Sequence, residues 1–132
     1  MQIRNNLVAF VCLFGCMFFM QEVYAQQPGN TIRDVARKHP NGNPYVVVYM
    51  KPNGEIVKEE VFYPSGKMEW EGCYKKSLED GEWRYYYPNG KIKSKQYYVK
   101  GKENGVFCDF DEQGNIIKQS VYNSGKLISE KK

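Results

Sequence analysis

The sequence predicts an all-β protein: an elongated antiparallel β-meander of tandem 24-residue hairpin repeats, preceded by a short N-terminal helix. Two observations predict this fold. From residue 45 onward, segments rich in β-branched and aromatic residues alternate with turns of the Pro-Asn-Gly or Pro-Ser-Gly type. Turn glycines and strand aromatics also recur at a spacing of 24 residues, and a fixed period of this size is typical of repeat architectures.

Residues 1–25 have the pattern of a secretory signal peptide. Arg4 precedes an apolar run over 7–20, and a small residue, Ala25, follows at the expected cleavage position. We expect cleavage after Ala25 and a periplasmic or secreted mature chain. An uncleaved anchor is disfavoured because the apolar run is shorter than the roughly 20 residues of a membrane span. The sequence before Cys16 also resembles a lipobox, so a lipoprotein anchored to the membrane through Cys16 is the alternative.

Residues 26–44 are predicted to form a linker and a short capping helix. Asn30 or Thr31 is a suitable N-cap for a helix over Ile32–Lys38. The turn-forming run 39–44 then ends it, which makes His39 a surface loop residue. A helix this short survives only when it packs on something, so we expect it to cover the first sheet edge.

The predicted repeat domain covers 45–132 and has units of unequal completeness. A partial unit spans 51–62, two full units span 63–86 and 87–110, and a last partial unit spans 111–130. In each turn a glycine supplies the positive φ that a tight hairpin needs. These structural turn glycines are Gly54, Gly66, Gly90 and Gly114.

The even period sorts the side chains by face, because neighbouring residues of a strand point to opposite sides of the sheet. One face is predicted to carry an apolar ladder, and the other the charged or polar residues between its members. Trp83, Tyr85 and Tyr87 share one parity while Tyr86 has the other, so either a bulge shifts the register or aromatic groups stand on both faces. The ladder consists of Met68, Trp70, Tyr74, Ile92, Tyr98, Ile116 and Tyr122, and the polar positions between them are Glu69, Glu71, Lys93, Lys95 and Gln119.

Aromatic residues are the candidates for a binding surface, since a single-layer sheet cannot hide them on both faces. We expect Trp83, Tyr85 and Tyr87 to be exposed, and Tyr97 with them, because exposed aromatic patches mark interaction sites. The predicted partner-binding residues are Trp83, Tyr85, Tyr87, Tyr97 and Trp70.

Composition argues against catalysis and against several ligand classes. The chain has one histidine, and no Cys/His cluster has metal-ligand spacing, so neither a catalytic site nor a metal site nor a cofactor is expected. Two acidic groups, 79–82 and 109–112, lie around turns, where acids are common for solvation. The net charge of +4 is mild and interspersed, which does not indicate nucleic-acid binding.

Cys73 and Cys108 are predicted to be separate, half-buried thiols. A meander places them three strands apart, which is roughly 14 Å at about 4.8 Å per strand. A disulfide needs Cα atoms within about 7 Å.

The string Gly-x-Trp-x-Tyr-Tyr-Tyr-Pro-Asn-Gly-Lys at 81–91, followed by Tyr98, Gly101 and Gly105, resembles the MORN-repeat-variant family. These are bacterial proteins of tandem β-hairpins, and some are labelled antitoxin-like. The resemblance covers about 51–130.

The resemblance implies a non-catalytic protein–protein binding module or scaffold, with immunity towards a toxin as one form of it. Ser77 departs from the family pattern, because it stands where the repeat usually has glycine. The alternative function is glycan or peptidoglycan binding, with Trp83 and Tyr85–Tyr87 as a stacking platform.

Overall fold

The computed structural model describes residues 31–132, which form a single antiparallel sheet. The predictions of a signal peptide and of lipidation at Cys16 lie outside these residues. The predicted all-β meander is confirmed, and residues 31–132 contain no helix, hence none long and apolar enough to cross a bilayer. The strands are β1 Ile32–Lys38, β2 Pro44–Met50, β3 Ile56–Phe62, β4 Met68–Lys75, β5 Leu78–Tyr86, β6 Ile92–Val99, β7 Lys102–Glu103, β8 Gly105–Phe110, β9 Ile116–Asn123 and β10 Lys126–Lys131.

Strands that follow one another in sequence are neighbours in the sheet. The order is β1-β2-β3-β4-β5-β6-β8-β9-β10, and the two-residue β7 pairs with the end of β6. Every pair is antiparallel, so a short turn suffices for each connection. Within residues 31–132 the sheet therefore has two faces without a second layer, and its edge strands are β1 and β10.

The predicted helix over Ile32–Lys38 is wrong, because this segment is strand β1. It pairs with β2, where Val35 lies opposite Val47. Val47 is 0% exposed, so β2 has apolar groups to bury and a full ladder of backbone groups to satisfy. A seven-residue helix satisfies few of its own backbone groups, whereas an added strand bonds along its whole length.

A small apolar cluster lies on β2 and β3. It consists of Val46, Val48 and Val61, and Met50 and Trp70 pack against it. Val46 lies opposite Val61, so cross-strand pairing brings these side chains together on one face. The cluster is the N-terminal start of the apolar side of the sheet.

The repeat begins earlier than the sequence pattern predicts. The Tyr63 hydroxyl donates to the carbonyl of Tyr86, and the Tyr87 hydroxyl donates to that of Phe110, both at 2.8 Å and over 23 residues. His39 makes the equivalent contact, since its Nε2 lies 2.7 Å from the Phe62 carbonyl oxygen. The predicted half unit 51–62 is therefore the second half of a full unit, 39–62, in which histidine replaces tyrosine.

Two kinds of turn alternate along the chain. In the first, the backbone N–H of Gly66 donates to the carbonyl of Tyr63, and Tyr63 donates in turn to that of Lys67. The four predicted turn glycines all have positive φ, which this turn with its glycine bulge requires. The second kind has two left-handed residues, as at Lys76 and Ser77 with φ of 53° and 61°. Ser77 thus adopts a conformation that favours glycine.

Candidate functional site

The cross-strand register divides the side chains into two faces. Tyr85 lies opposite Trp70, and Trp83 opposite Gly72, so both aromatic residues of β5 stand on the side of the predicted ladder. We call this side the aromatic face and the other the polar face. The rings of the aromatic face are Trp70, Tyr74, Trp83, Tyr85, Tyr98, Phe107 and Tyr122.

Ring contacts run without interruption across this face from β4 to β9. Trp70 and Trp83 stack with centroids 5.3 Å apart, and Trp83 meets the Tyr98 ring edge-on at 5.9 Å. Phe107 continues the series, 5.6 Å from Tyr98 and 4.7 Å from Tyr122. Such pairs contribute about 0.5–1.5 kcal/mol each beyond their burial. The ladder is confirmed for its aromatic members Trp70, Tyr74, Tyr98 and Tyr122.

Trp83 is buried, so the prediction that it is exposed is wrong. It is 7% exposed and lies flat over Gly72, where an added Cβ would stand 2.3 Å from its Cδ2 atom. A glycine in mid-strand has no side chain to pack and marks a close approach by another group. Gly72 was therefore the sequence signal for the burial of Trp83.

The other predicted binding residues have mixed positions. Trp70 and Tyr85 are half-buried within the ring series. Tyr87 is half-buried too, and its hydroxyl already donates a hydrogen bond to the Phe110 carbonyl. Tyr86 reaches the polar face, where its hydroxyl donates to Glu71 at 2.7 Å, so aromatic residues stand on both faces. The register also shifts between Tyr85 and Tyr86, as the sequence suggested.

The polar face carries an ion-pair network from β3 to β5. Lys58 contacts Glu60 and Glu71 at 2.8 Å each, and Arg84 lies between Glu71 and Glu82. Burial raises the pKa of Glu71, but the hydrogen bonds from Lys58 and Tyr86 outweigh it and hold that pKa below its ordinary value. These carboxylates are paired and offer little to a ligand.

Beyond β5 the polar face gains exposed apolar residues among its charged and polar ones. Tyr97 lies opposite Glu82, the last acid of the network, and is 39% exposed. Asn104 donates its backbone N–H to the Tyr97 carbonyl, which brings the start of β8 beside it. Val106 on β8 is 41% exposed and lies opposite the half-buried Val121. We call Tyr97, Val106 and Val121 the Tyr97 patch. Among the five predicted binding residues, Tyr97 alone is exposed.

Three carboxylates on the aromatic face, those of Glu59, Glu79 and Glu103, stand apart from the ion pairs of the sheet. Glu79 lies opposite Tyr74, and Glu103 opposite Tyr98, so two successive units repeat one tyrosine–glutamate pair. Glu59 accepts a hydrogen bond from the Tyr74 hydroxyl at 3.2 Å. Within residues 31–132 none of these three glutamates forms an ion pair. Burial first, and nearby groups that include Glu103 and Glu79, raise the pKa of Tyr98 to about 12.

Cys73 and Cys108 are not joined by a disulfide, as predicted. Cys73 on β4 is half-buried, whereas Cys108 on β8 is 2% exposed and so more buried than expected. β5 and β6 separate their strands. The described part of the chain has no group of three His, Cys, Asp or Glu side chains arranged to hold a metal ion.

Comparison with known families identifies the repeat. Residues 56–76 and 79–100 match the model of the MORN repeat variant. These two segments are MORN-variant repeats. Each match spans one strand, the proline-containing turn after it and the next strand. The matched segments are therefore centred on the turns that begin at Tyr63 and Tyr87. The alternation of strands and tight turns continues through β8, β9 and β10.

A search of curated proteins found no match. A chain of the Glycosylation Associate Protein (Gap123) complex from Streptococcus agalactiae is similar at 16% identity and a TM-score of 0.48. The similarity covers 77% of this chain and 18% of that chain, so this chain spans about a fifth of its length. A likeness at this level carries no argument about function.

Proposed function

We propose that this protein is an exported, non-catalytic repeat module that binds a protein partner through the Tyr97 patch. The patch carries the proposal: Tyr97 and Val106 are exposed on the neighbouring strands β6 and β8, Val121 lies opposite Val106, and no second layer of residues 31–132 covers this face. Contiguous exposed apolar surface marks interaction sites, and tyrosine is enriched among residues that dominate binding energy. The ion-pair network beside the patch supplies a charged border that favours one partner over others.

An immunity partner of a toxin and an envelope scaffold are the two forms of this role. Both need a stable surface and no reacting group. Glycan binding is the weaker candidate, because its proposed platform included Trp83, whose ring is buried over Gly72. Neither form requires a cofactor.

Capture from envelope extracts of the cells that make the protein tests the role. We expect the wild type to retain a defined protein, and the double variant Tyr97→Glu/Val106→Glu to lose it. Ile32→Glu/Ile56→Glu is the matched control, since both residues are exposed and apolar but lie on β1 and β3, away from the patch. Equal retention by the patch variant and the control would show that the patch is not the contact. A signal on a glycan array, with no protein retained, would favour the alternative.

Export has its own test. Fractionation combined with N-terminal sequencing should find the chain outside the cytoplasm, beginning at Gln26. A cytoplasmic chain that retains Met1 would contradict the proposal of export. An N-terminal lipid on Cys16 would replace the cleaved signal with the lipoprotein alternative.

A further inference from the structure

We propose that the aromatic face binds a lysine- or arginine-rich polypeptide segment. This inference goes beyond the proposed function, because the aromatic face and the Tyr97 patch lie on opposite sides of the sheet. Three features of this face support it: the distribution of charge, the arrangement of the rings and one buried hydrogen-bond donor.

Charge is divided unequally between the two faces. On the polar face each of Glu60, Glu71 and Glu82 has a lysine or arginine partner. On the aromatic face Glu59, Glu79 and Glu103 have none, and the strand positions of this face from β3 to β8 hold no lysine or arginine. The chain as a whole is cationic, with a net charge of +4. Between β3 and β8 the aromatic face is thus an acidic strip on a basic protein, with Lys118 on β9 and Arg37 on β1 beyond its two ends, and the complement of the strip is a cation.

The rings add a second attraction for the same kind of group. The glutamates of the strip stand beside tyrosines, as Glu79 does beside Tyr74 and Glu103 beside Tyr98. An ammonium or guanidinium group is attracted both to a carboxylate and to the face of an aromatic ring. Because the Tyr–Glu pair recurs in successive units, two pairs lie about two strand spacings apart, roughly 9.6 Å. An extended chain with spaced basic residues matches such a repeat.

The indole of Trp83 distinguishes a polypeptide from a simple cation. Its ring lies in the middle of the strip and contacts both Tyr74 and Tyr98. Its N–H is buried and donates no hydrogen bond within the described residues. A buried donor without an acceptor is unfavourable. A polypeptide brings carbonyl groups that can accept this hydrogen bond, and a polyamine brings none.

Titration with an oligolysine peptide tests the inference. Calorimetry gives the affinity, and tryptophan fluorescence gives the location, because Trp70 and Trp83 are the only tryptophans of the chain and both lie on this face. We expect saturable binding with a fluorescence change that added salt weakens, and no binding of oligoglutamate. Binding without a fluorescence change would place the peptide elsewhere and overturn the proposal, as would no binding at low salt.

Matched variants separate a defined site from general charge attraction. Glu79→Gln/Glu103→Gln is expected to weaken oligolysine binding roughly tenfold, since it removes both repeated carboxylates. Glu69→Gln/Glu112→Gln changes the net charge equally outside the strip and should leave the affinity within about twofold. Equal loss in both variants would refute the site. Spermine that competes as well as the peptide would refute the polypeptide as ligand. Circular dichroism confirms that each variant is folded.

Discussion

Replacing Gly72 with alanine perturbs the centre of the aromatic face with a single methyl group. The new Cβ would lie 2.3 Å from Cδ2 of Trp83, whereas ordinary contact begins at 3.4 Å, so the ring must move by about 1.1 Å. Overpacking of this kind costs roughly 1–3 kcal/mol. Elsewhere in a strand, alanine for glycine stabilises by about 0.4–1 kcal/mol through the unfolded state. We therefore expect Gly72→Ala to lose about 1–2 kcal/mol.

Urea denaturation measures this loss. With a slope of roughly 1–2 kcal/mol per molar urea for a domain of this size, the midpoint should fall by about 1 M. In a Trp83→Val background the clashing ring is absent, so the same Gly72→Ala change should stabilise instead. A Gly72→Ala protein as stable as the wild type would refute the close packing of Trp83 on Gly72. If Gly72→Ala also destabilises the protein in the Trp83→Val background, the clash with the Trp83 ring is not the cause of the loss.

Further predictions concern single features of the sheet. Ser77→Gly should stabilise by about 1 kcal/mol in the same urea assay, because Ser77 has a φ of 61°; a loss would contradict the turn geometry. Tyr87→Phe should destabilise by about 0.5–1.5 kcal/mol by removing the hydrogen bond to Phe110, and a neutral result would discount that contact. The raised pKa of Tyr98, about 12 against 10.0, means that its contribution is present below pH 10 and is lost as the pH rises through 12; tyrosinate absorbance should follow unfolding there. Cys73 and Cys108 should both react with a thiol reagent in denaturant, and Cys108 only slowly in the folded state; a disulfide between them would refute the strand order.

The regular part of the architecture was readable from the sequence. Period-two alternation with turn glycines such as Gly66 and Gly90 specifies hairpins locally, and the 24-residue spacing carries this pattern from unit to unit. The unit 39–62 was not recognised in the sequence because His39 stands where the other units have tyrosine. In those units the tyrosine hydroxyl makes the hydrogen bond that the His39 ring makes here to the Phe62 carbonyl. Local propensity alone also gave the wrong structure for β1, which was predicted as a helix. A short segment with mixed helix and strand propensities adopts the structure that pairing with its neighbour favours.

The surface was harder to predict than the fold. Alternation places Trp83 on a face but does not determine what covers it, and its burial depends on the missing side chain of Gly72 in the neighbouring strand. The exposure of Tyr97 was predicted, but not its neighbours, because Val106 joins it only through the pairing of β6 with β8. That Glu59, Glu79 and Glu103 form no ion pair could not be predicted for the same reason, because the register of the strands determines which charged side chains are neighbours.

The hydrogen bonds from His39, Tyr63 and Tyr87 each span 23 residues, and they therefore fix the number of residues in each unit. A deletion or insertion of one residue between donor and acceptor separates the two ends and inverts the faces of the strand that follows. Gain or loss of 24 residues preserves every such bond and every face. Such a change alters the width of the sheet by two strand spacings, about 9.6 Å. The fold therefore tolerates the gain or loss of sequence in whole units of 24 residues, and relatives that differ in length should differ by such units.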